Sequence, residues 1–264
     1  MERLALFLVG STVIAMTIGC SEESGGGGAG SGGAGGIAGT GGMTGTGGAA
    51  GMGGSGMVQL SVTVTEAPSL DDELFNGAPF EGVDLCDADT TNCATADAQG
   101  LAQITLPANQ EVTYTVSKDG YVPYVVGDVS DPPALASTWP MISDALMAAE
   151  GERVGFAWPP DSEGLVALAV VPNRAGVTWE IDDGAATVYY MDEDAVAQLG
   201  LTATTNAGRG GFYDVSVGVR EVDYSGTITT CTPGIAWPGS AANQIRVPAR
   251  ATHISYGSMN CDEP

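Results

Sequence analysis

Few side chains of this chain could carry catalysis. His253 is the only histidine in 264 residues, and a serine or cysteine nucleophile usually depends on a histidine base. The alternating residues around His253 are typical of a strand, which favours a surface or edge position for it. Paired carboxylates could hydrolyse glycosides, but 32 acidic residues make neighbours such as Asp182-Asp183 common by chance. We therefore expect no enzymatic activity and no cofactor.

One loop is a candidate metal site because it is rich in oxygen ligands. Asp87, Asp89 and Asn92 offer side-chain oxygens close together in the sequence, and calcium prefers such ligands. The loop lacks the central glycine and the distal glutamate of an EF-hand. The same residues also suit a hydrophilic hairpin turn. The sequence therefore favours a plain turn, with a calcium site as the alternative.

A cysteine near the N terminus is placed for covalent modification. Cys20 follows an apolar run from Leu4 to Gly19, which is short for a membrane span and has the dimensions of a signal-peptide core. Thr17-Ile18-Gly19-Cys20 resembles the lipobox of bacterial lipoproteins, with Thr17 where leucine is usual. The resemblance implies cleavage before Cys20, acylation of its thiol and attachment to a membrane of the cell envelope. Ser21, in place of an aspartate, favours the outer membrane over the inner one.

The four remaining cysteines are Cys86, Cys93, Cys231 and Cys261. An even number outside the cytoplasm predicts disulfide bonds. Four cysteines allow three pairings, of which local spacing favours Cys86–Cys93 and Cys231–Cys261. Zinc binding is disfavoured because the chain has no Cys-x-x-Cys pair and a single histidine.

The charge of the chain excludes one class of partner. Its formal net charge is −24, from 32 acidic and 8 basic residues. Nucleic-acid binding depends on clustered lysine and arginine, so we expect no nucleic-acid partner. Anionic lipid headgroups are repelled for the same reason, and membrane attachment then depends on the acyl chains of Cys20.

The rest of the sequence predicts strands behind a flexible tether. Residues 24–56 are mostly glycine, and such a segment is expected to be disordered because it cannot bury enough apolar surface. From Val58 to Thr65 apolar and polar residues alternate, which is typical of a half-buried strand. Several short strands with glycine-containing turns follow up to Val126, which indicates an antiparallel sandwich.

The motifs of this region resemble those of the carboxypeptidase regulatory-like family. They are Gly82-Val-Asp-Leu-Cys86, Thr95-Ala-Asp-Ala-Gln-Gly-Leu-Ala102, Ile104-Thr-Leu-Pro-Ala-Asn109 and Val116-Ser-Lys-Asp-Gly-Tyr-Val122. Asn109 stands where the family usually has glycine. The resemblance covers about residues 60–129. It implies a transthyretin-like sandwich and a non-catalytic accessory or stalk module.

The expected fold class is all-β, with two small antiparallel β-sandwich modules of transthyretin type, a short helical connector and a disordered glycine-rich tether. A helix is predicted over Trp139–Glu150, and Trp139 and Trp158 are expected to pack against a sandwich edge. The expected boundaries are 1–19 for the signal peptide, 20–56 for the lipidated cysteine and linker, 57–131 for the first sandwich, 132–162 for the connector and 163–264 for the second sandwich, with a degenerate duplication as one possibility.

The sequence predicts a lipid-anchored envelope protein with a non-catalytic structural or adhesive role. The alternative is an extracellular carbohydrate- or peptide-binding module, which would use exposed aromatic residues such as Tyr189, Tyr190, Trp237 and Tyr256. A further alternative is an accessory subunit of an envelope enzyme complex. The expected partners are therefore the membrane, through the anchor, and an envelope protein or glycan.

Overall fold

The computed structural model describes residues 56–262, apart from residues 72, 132–133, 161 and 229. The predicted signal peptide, Cys20 and the glycine-rich linker up to residue 55 lie outside the described residues. The described part contains strands and one short helix, so the prediction of an all-β fold with one helix is confirmed. The strands are β1 (Met57–Glu66), β2 (Asp84–Asp87), β3 (Cys93–Thr95), β4 (Leu101–Pro107), β5 (Glu111–Ser117), β6 (Tyr124–Val129), β7 (Ala134–Met141), β8 (Glu163–Val171), β9 (Val177–Ile181), β10 (Thr187–Met191), β11 (Ala197–Gln198), β12 (Arg209–Ser216), β13 (Gly218–Gly226), β14 (Cys231–Pro233), β15 (Trp237–Pro238), β16 (Gln244–Ala249) and β17 (Ile254–Cys261); the helix is α1 (Asp144–Val154).

The strands form three sheets. The largest has ten strands, in the order β11-β10-β12-β8-β17-β6-β5-β2-β3, with β14 pairing to the end of β17. The second sheet has the order β4-β1-β7, and the third has the order β15-β16-β13-β9. Most neighbours are antiparallel, but β1 pairs with β7, and β17 with both β6 and β8, in parallel.

The large sheet joins the two predicted sandwich modules. β17, from the C-terminal end of the chain, lies between β6 of the first module and β8 of the second. The boundary predicted near residues 131–163 therefore does not divide this sheet. A terminal strand inserted in parallel between distant segments requires long-range connections, which local patterns do not indicate.

Both faces of the large sheet are buried. Along β8, Leu165 belongs to one apolar core, whereas its neighbours Val166 and Leu168 belong to another. The same alternation separates Tyr189 from Tyr190 on β10, because successive side chains of a strand point to opposite faces. One face carries the β4-β1-β7 sheet and α1, and the other carries the four-stranded sheet. This double burial explains the nearly continuous apolar run of β8.

The connector differs from its prediction. The segment expected to begin a helix at Trp139 is the end of β7, and Pro140 is tolerated there because β7 is an edge strand. The helix begins after Ser143, whose hydroxyl accepts a hydrogen bond from Leu146 N at 3.2 Å. It ends at Gly155, in the left-handed conformation with φ of 98°. The predicted helix over Trp139–Glu150 is therefore wrong at both ends, since the observed helix begins and ends later.

Candidate functional site

The candidate functional site is a cavity of about 250 Å³, partly open to solvent. It lies between the large sheet and the elements that cover the same face, namely β7, α1 and the loop between β1 and β2 (residues 67–83). We call it the α1 cavity, because Met147 and Glu150 of the helix form part of its wall. The sequence did not predict it.

Small side chains on the sheet leave the space that forms the cavity. Ala167 and Ala169 alternate along β8 and line the cavity floor, and Gly210 of β12 lies beside them. Gly210 contributes only backbone to the floor, because an added Cβ would point to the opposite face of the sheet and meet Tyr189 O at 2.3 Å and Trp179 Cζ2 at 2.8 Å. The neighbouring strands keep larger residues, and the covering elements therefore cannot close onto the floor.

Aromatic rings form much of the wall. Tyr213 of β12 stacks on Tyr189 of β10, with ring centroids 4.4 Å apart, and on Phe156 after the helix, at 4.0 Å. A second group centres on Trp139 of β7, which lies 5.3 Å from the ring of Tyr124 and meets Tyr256 edge-on at 5.2 Å. All of these except Phe156 line the cavity. Trp139 packs in the core, as predicted, but it also faces this space.

Few charged groups line the cavity, and most already have partners. The Glu150 carboxylate accepts from Arg153 Nη2 at 2.5 Å. The Asp71 carboxylate accepts from the Ser69 hydroxyl at 2.5 Å and from Glu73 N at 3.0 Å. The hydrogen bond from Ser69 lowers the pKa of the Asp71 carboxyl, so it stays ionised.

Arg209 is the third charged group of the wall. Its guanidinium lies 5.6 Å from the ring centroid of Phe75, in a cation–π contact. Phe75 is itself 43% exposed and belongs to the β1–β2 loop. These two residues therefore mark the side of the cavity that faces solvent.

The tyrosine hydroxyls of the cavity are neutral hydrogen-bonding groups. Burial raises the pKa of Tyr189 well above its ordinary value, and it also raises the pKa values of Tyr213 and Tyr256. Tyr124 is occupied, because its hydroxyl donates to Pro140 O at 2.7 Å. The cavity can thus bind a guest by apolar contact and hydrogen bonds. Neither histidine nor cysteine occurs among the described residues that line it.

The covering elements are held at their ends. In the β1–β2 loop, Ala67 N donates to Met141 O at 3.0 Å and Glu66 N donates to Ala78 O at 3.0 Å. Between these bonds, Leu70, Leu74 and Phe75 reach the cavity. Gly151 lets the helix approach the chain that follows it, since a Cβ there would lie 2.6 Å from Phe156 O.

Both predicted disulfides are present. Cys86 and Cys93 are bonded across the β2–β3 hairpin, and Cys231 and Cys261 are bonded across β14 and β17. Each pair occupies directly opposed positions of an antiparallel ladder. Neither disulfide lines the cavity.

The predicted calcium ligands lie in the loop that the first disulfide closes, where the Asp87 oxygens accept hydrogen bonds from the loop itself. The Asp87 carboxylate accepts from Asp89 N at 3.1 Å and from the Thr90 hydroxyl at 2.9 Å. The Asn92 amide donates to Thr105 O at 2.7 Å. Within the described residues, no three His, Cys, Asp or Glu side chains cluster as metal ligands would. The hydrophilic turn, which the sequence favours over a calcium site, explains these contacts.

His253 lies before β17, away from the cavity. Its Nδ1 is 2.7 Å from Ala251 O, and burial lowers its pKa. A neutral, half-buried imidazole bonded to its own loop suits a structural role.

The predicted exposed aromatic platform is wrong. Tyr189, Tyr190 and Trp237 are 3%, 2% and 8% exposed, and Tyr256 is half-buried. Trp237 packs on Gly127 and donates its indole N–H to Val112 O at 3.0 Å. Tyr189 and Tyr190 are buried because both faces of the large sheet are covered at β10.

Comparisons with known proteins give only distant similarities. No family model and no curated protein matches the chain. A chain of a type II cohesin–X-dockerin complex from Acetivibrio cellulolyticus is 18% identical over 33% of this chain and 58% of that chain, with a TM-score of 0.27. A minor pilin of Streptococcus agalactiae is 14% identical over 78% of this chain and 96% of its own, with a TM-score of 0.27. The shaft pilin SpaA of Lactobacillus rhamnosus GG is 9% identical over 79% of this chain and 99% of its own, with a TM-score of 0.23.

None of these values identifies a family for the chain. The chain spans little more than half the length of the cohesin–dockerin chain that it matches. Within the part of the sequence that the structure describes, no helix has the length and apolar character of a membrane span.

Proposed function

We propose that this chain is a lipid-anchored protein of the cell envelope whose β domain binds a small molecule without catalysis. The single observation that carries the binding function is the α1 cavity, a partly open space with an apolar, aromatic wall and few polar groups. Ligand sites in proteins have this composition. The polar groups present are tyrosine hydroxyls and partnered carboxylates, which hold a guest but supply no activated nucleophile.

Two features support the location outside the cytoplasm. The apolar leader ending at Cys20 carries the lipobox-like motif. The four other cysteines are paired in disulfides, which form and persist in oxidising compartments. The outer membrane remains the preferred site, on the strength of Ser21.

Backbone geometry supports the proposed relation of the first module to the carboxypeptidase regulatory-like family. The turn positions of its motifs have positive φ: 73° at Gly100 and 58° at Asn109, where the family usually has glycine. Asparagine is among the few other residues that adopt this conformation readily. At Gly100 the backbone is also crowded, because a Cβ would lie 2.3 Å from Val64 O.

The structural or adhesive role is the second candidate. It is favoured by the large sheet, which joins both halves of the chain through β17 and is covered on both faces. This arrangement suits a rigid spacer. A rigid spacer does not need a cavity, so the α1 cavity favours ligand binding over a purely structural role.

Ligand screening tests the binding function. The full chain is screened by thermal shift against small apolar molecules, sugars and short peptides. We expect stabilisation by apolar molecules that fit the cavity, because a ligand that binds only the folded state raises its stability. Stabilisation by sugars or peptides alone, or by nothing, would contradict the proposal.

Palmitate labelling tests the anchor separately. Cells fed labelled palmitate should label the wild-type chain and the control variant Ser21→Ala, whereas Cys20→Ala should carry no label. If the Cys20→Ala chain is labelled as strongly as the wild type, the lipid anchor is contradicted, whereas the proposed binding function is not affected.

A further inference from the structure

The size of the α1 cavity limits its guest to a small molecule. Its volume is about 250 Å³. An engineered protein cavity of about 150 Å³ takes benzene, and sites for drug-sized ligands begin at about 300 Å³. A substituted single ring or two fused rings therefore fit. A disaccharide, a peptide or a long acyl chain does not.

The Tyr213 ring presents its edge, and not its faces, to the guest. Tyr189 and Phe156 both stack on Tyr213, at 4.4 and 4.0 Å and with interplanar angles of 20° and 23°. Two rings at these distances on one face would overlap, so they must cover opposite faces of Tyr213. Ring edges carry partial positive charge and prefer the negative face of another ring. This arrangement suits an aromatic guest, whereas a cation would need open ring faces.

The charges of the wall favour an uncharged guest. Glu150 is already paired with Arg153 at 2.5 Å, and the Arg209 guanidinium lies over Phe75. Since Arg153 balances Glu150, one carboxylate, Asp71, and one guanidinium, Arg209, remain among the groups that line the cavity. The wall therefore has no net charge to attract an organic ion, and the overall charge of −24 disfavours an anion.

Polar atoms of the wall favour a guest with a hydrogen-bonding group. Tyr189, Tyr213 and Tyr256 line the cavity, and their hydroxyls are neutral groups that can donate or accept a hydrogen bond. Buried polar groups are normally hydrogen-bonded. A hydroxyl or ring N–H on the guest gives the wall a partner that a plain hydrocarbon lacks.

We infer that the α1 cavity binds an uncharged aromatic molecule of one or two rings that carries a hydroxyl or a ring N–H, as phenol and indole do. The inference rests on the proposed binding function and names its ligand class.

Calorimetry on the full chain tests the ligand class with five probes. Phenol and indole are the expected ligands. Cyclohexanol matches phenol in size but is not aromatic, benzoate is an anion and choline is a cation. We expect one molecule of phenol or indole per chain, bound at least about tenfold more tightly than the other three probes. Tenfold corresponds to about 1.4 kcal/mol.

A cavity-filling variant locates the site. Ala167→Leu places a larger side chain on the floor and should weaken indole binding at least tenfold. The matched control is Ala136→Leu, on the exposed side of β7, which should bind as the wild type does. If Ala167→Leu does not fold, magnetisation transfer between indole and the ring protons of Tyr189 or Tyr213 in the wild-type chain locates the guest instead.

The outcomes separate the two levels of the proposal. If cyclohexanol, benzoate or choline binds as tightly as indole and Ala167→Leu removes that binding, the ligand class is wrong and the binding function stands. If indole binds equally to the wild type and to Ala167→Leu, the site is wrong. If no probe binds, the inference is overturned, and only the wider ligand screen then decides the binding function.

Discussion

Removing the disulfide between Cys231 and Cys261 should destabilise the protein more than removing the one between Cys86 and Cys93. The first closes a loop with a sequence separation of 30 and the second one of 7. In the chain-entropy relation, these loops correspond to about 3.7 and about 2.4 kcal/mol of stabilisation at 25 °C. Burial acts in the same direction, because Cys231 and Cys261 are 9% and 5% exposed whereas Cys93 is exposed.

The assay is urea unfolding of the full chain and of the two double alanine variants, followed by tryptophan fluorescence. With a denaturant slope of about 2 kcal/mol per molar, loss of the longer loop should lower the midpoint by about 2 M, and loss of the shorter by about 1 M. Alanine is used in place of serine, because serine would bury a new hydroxyl at Cys231 and Cys261. An equal or larger loss for the Cys86 and Cys93 variant would refute the reasoning from loop length and burial.

Two further predictions concern stability and the cover of the cavity. Burial raises the pKa of the Asp128 carboxyl to about 6 from 3.8, so its protonated form is favoured in the folded state; this stabilisation is complete below about pH 3.8 and is lost as the pH rises through 6. Asp128→Asn should therefore raise the free energy of unfolding at pH 7 by on the order of 2 kcal/mol and have little effect at pH 3.5. The control Asp119→Asn, at an exposed position, should change the free energy of unfolding little at either pH. Urea titrations at both pH values check this, and an equal gain for Asp128→Asn at pH 3.5 would contradict it. Ser143→Ala should lower the free energy of unfolding by about 1 kcal/mol, because it removes the helix cap. Ser143→Asp should keep most of the stability that the cap provides. Circular dichroism during thermal unfolding measures the difference, and equal melting of the two variants would refute the cap.

Local patterns predicted the strands well where apolar and polar residues alternate. β1 alternates between exposed and buried residues from Met57 onward, as its sequence indicates. β4 and β5 lie within the region up to Val126 where short strands were predicted. Here the residue pattern alone selects the buried face.

The patterns failed where distant partners decide the structure. Residues 211–219 are divided between β12 and β13, with Asp214 at φ of 56° and a shift of register between Phe212 and Val215. β7 was missed because its end, Trp139 and Pro140, also suits the start of a helix, and its strand conformation depends on parallel pairing with β1. Such pairing has no local signature.

The cavity could not be predicted for a similar reason. Its floor comes from Ala167 and Gly210, and its cover comes from Leu74 and Met147, all far apart in the sequence. Each is ordinary in its own segment. A space of this kind appears only when the covering elements and the sheet are placed together.

The measurement that tests the central claim most directly is a crystal structure of the protein soaked with 4-iodophenol, whose iodine is located by anomalous scattering. We expect an iodine peak inside the α1 cavity, beside the rings of Tyr213 and Trp139, and no such peak in crystals of Ala167→Leu. An unoccupied cavity in the wild-type crystals, with iodine found only on the protein surface, would contradict the claim.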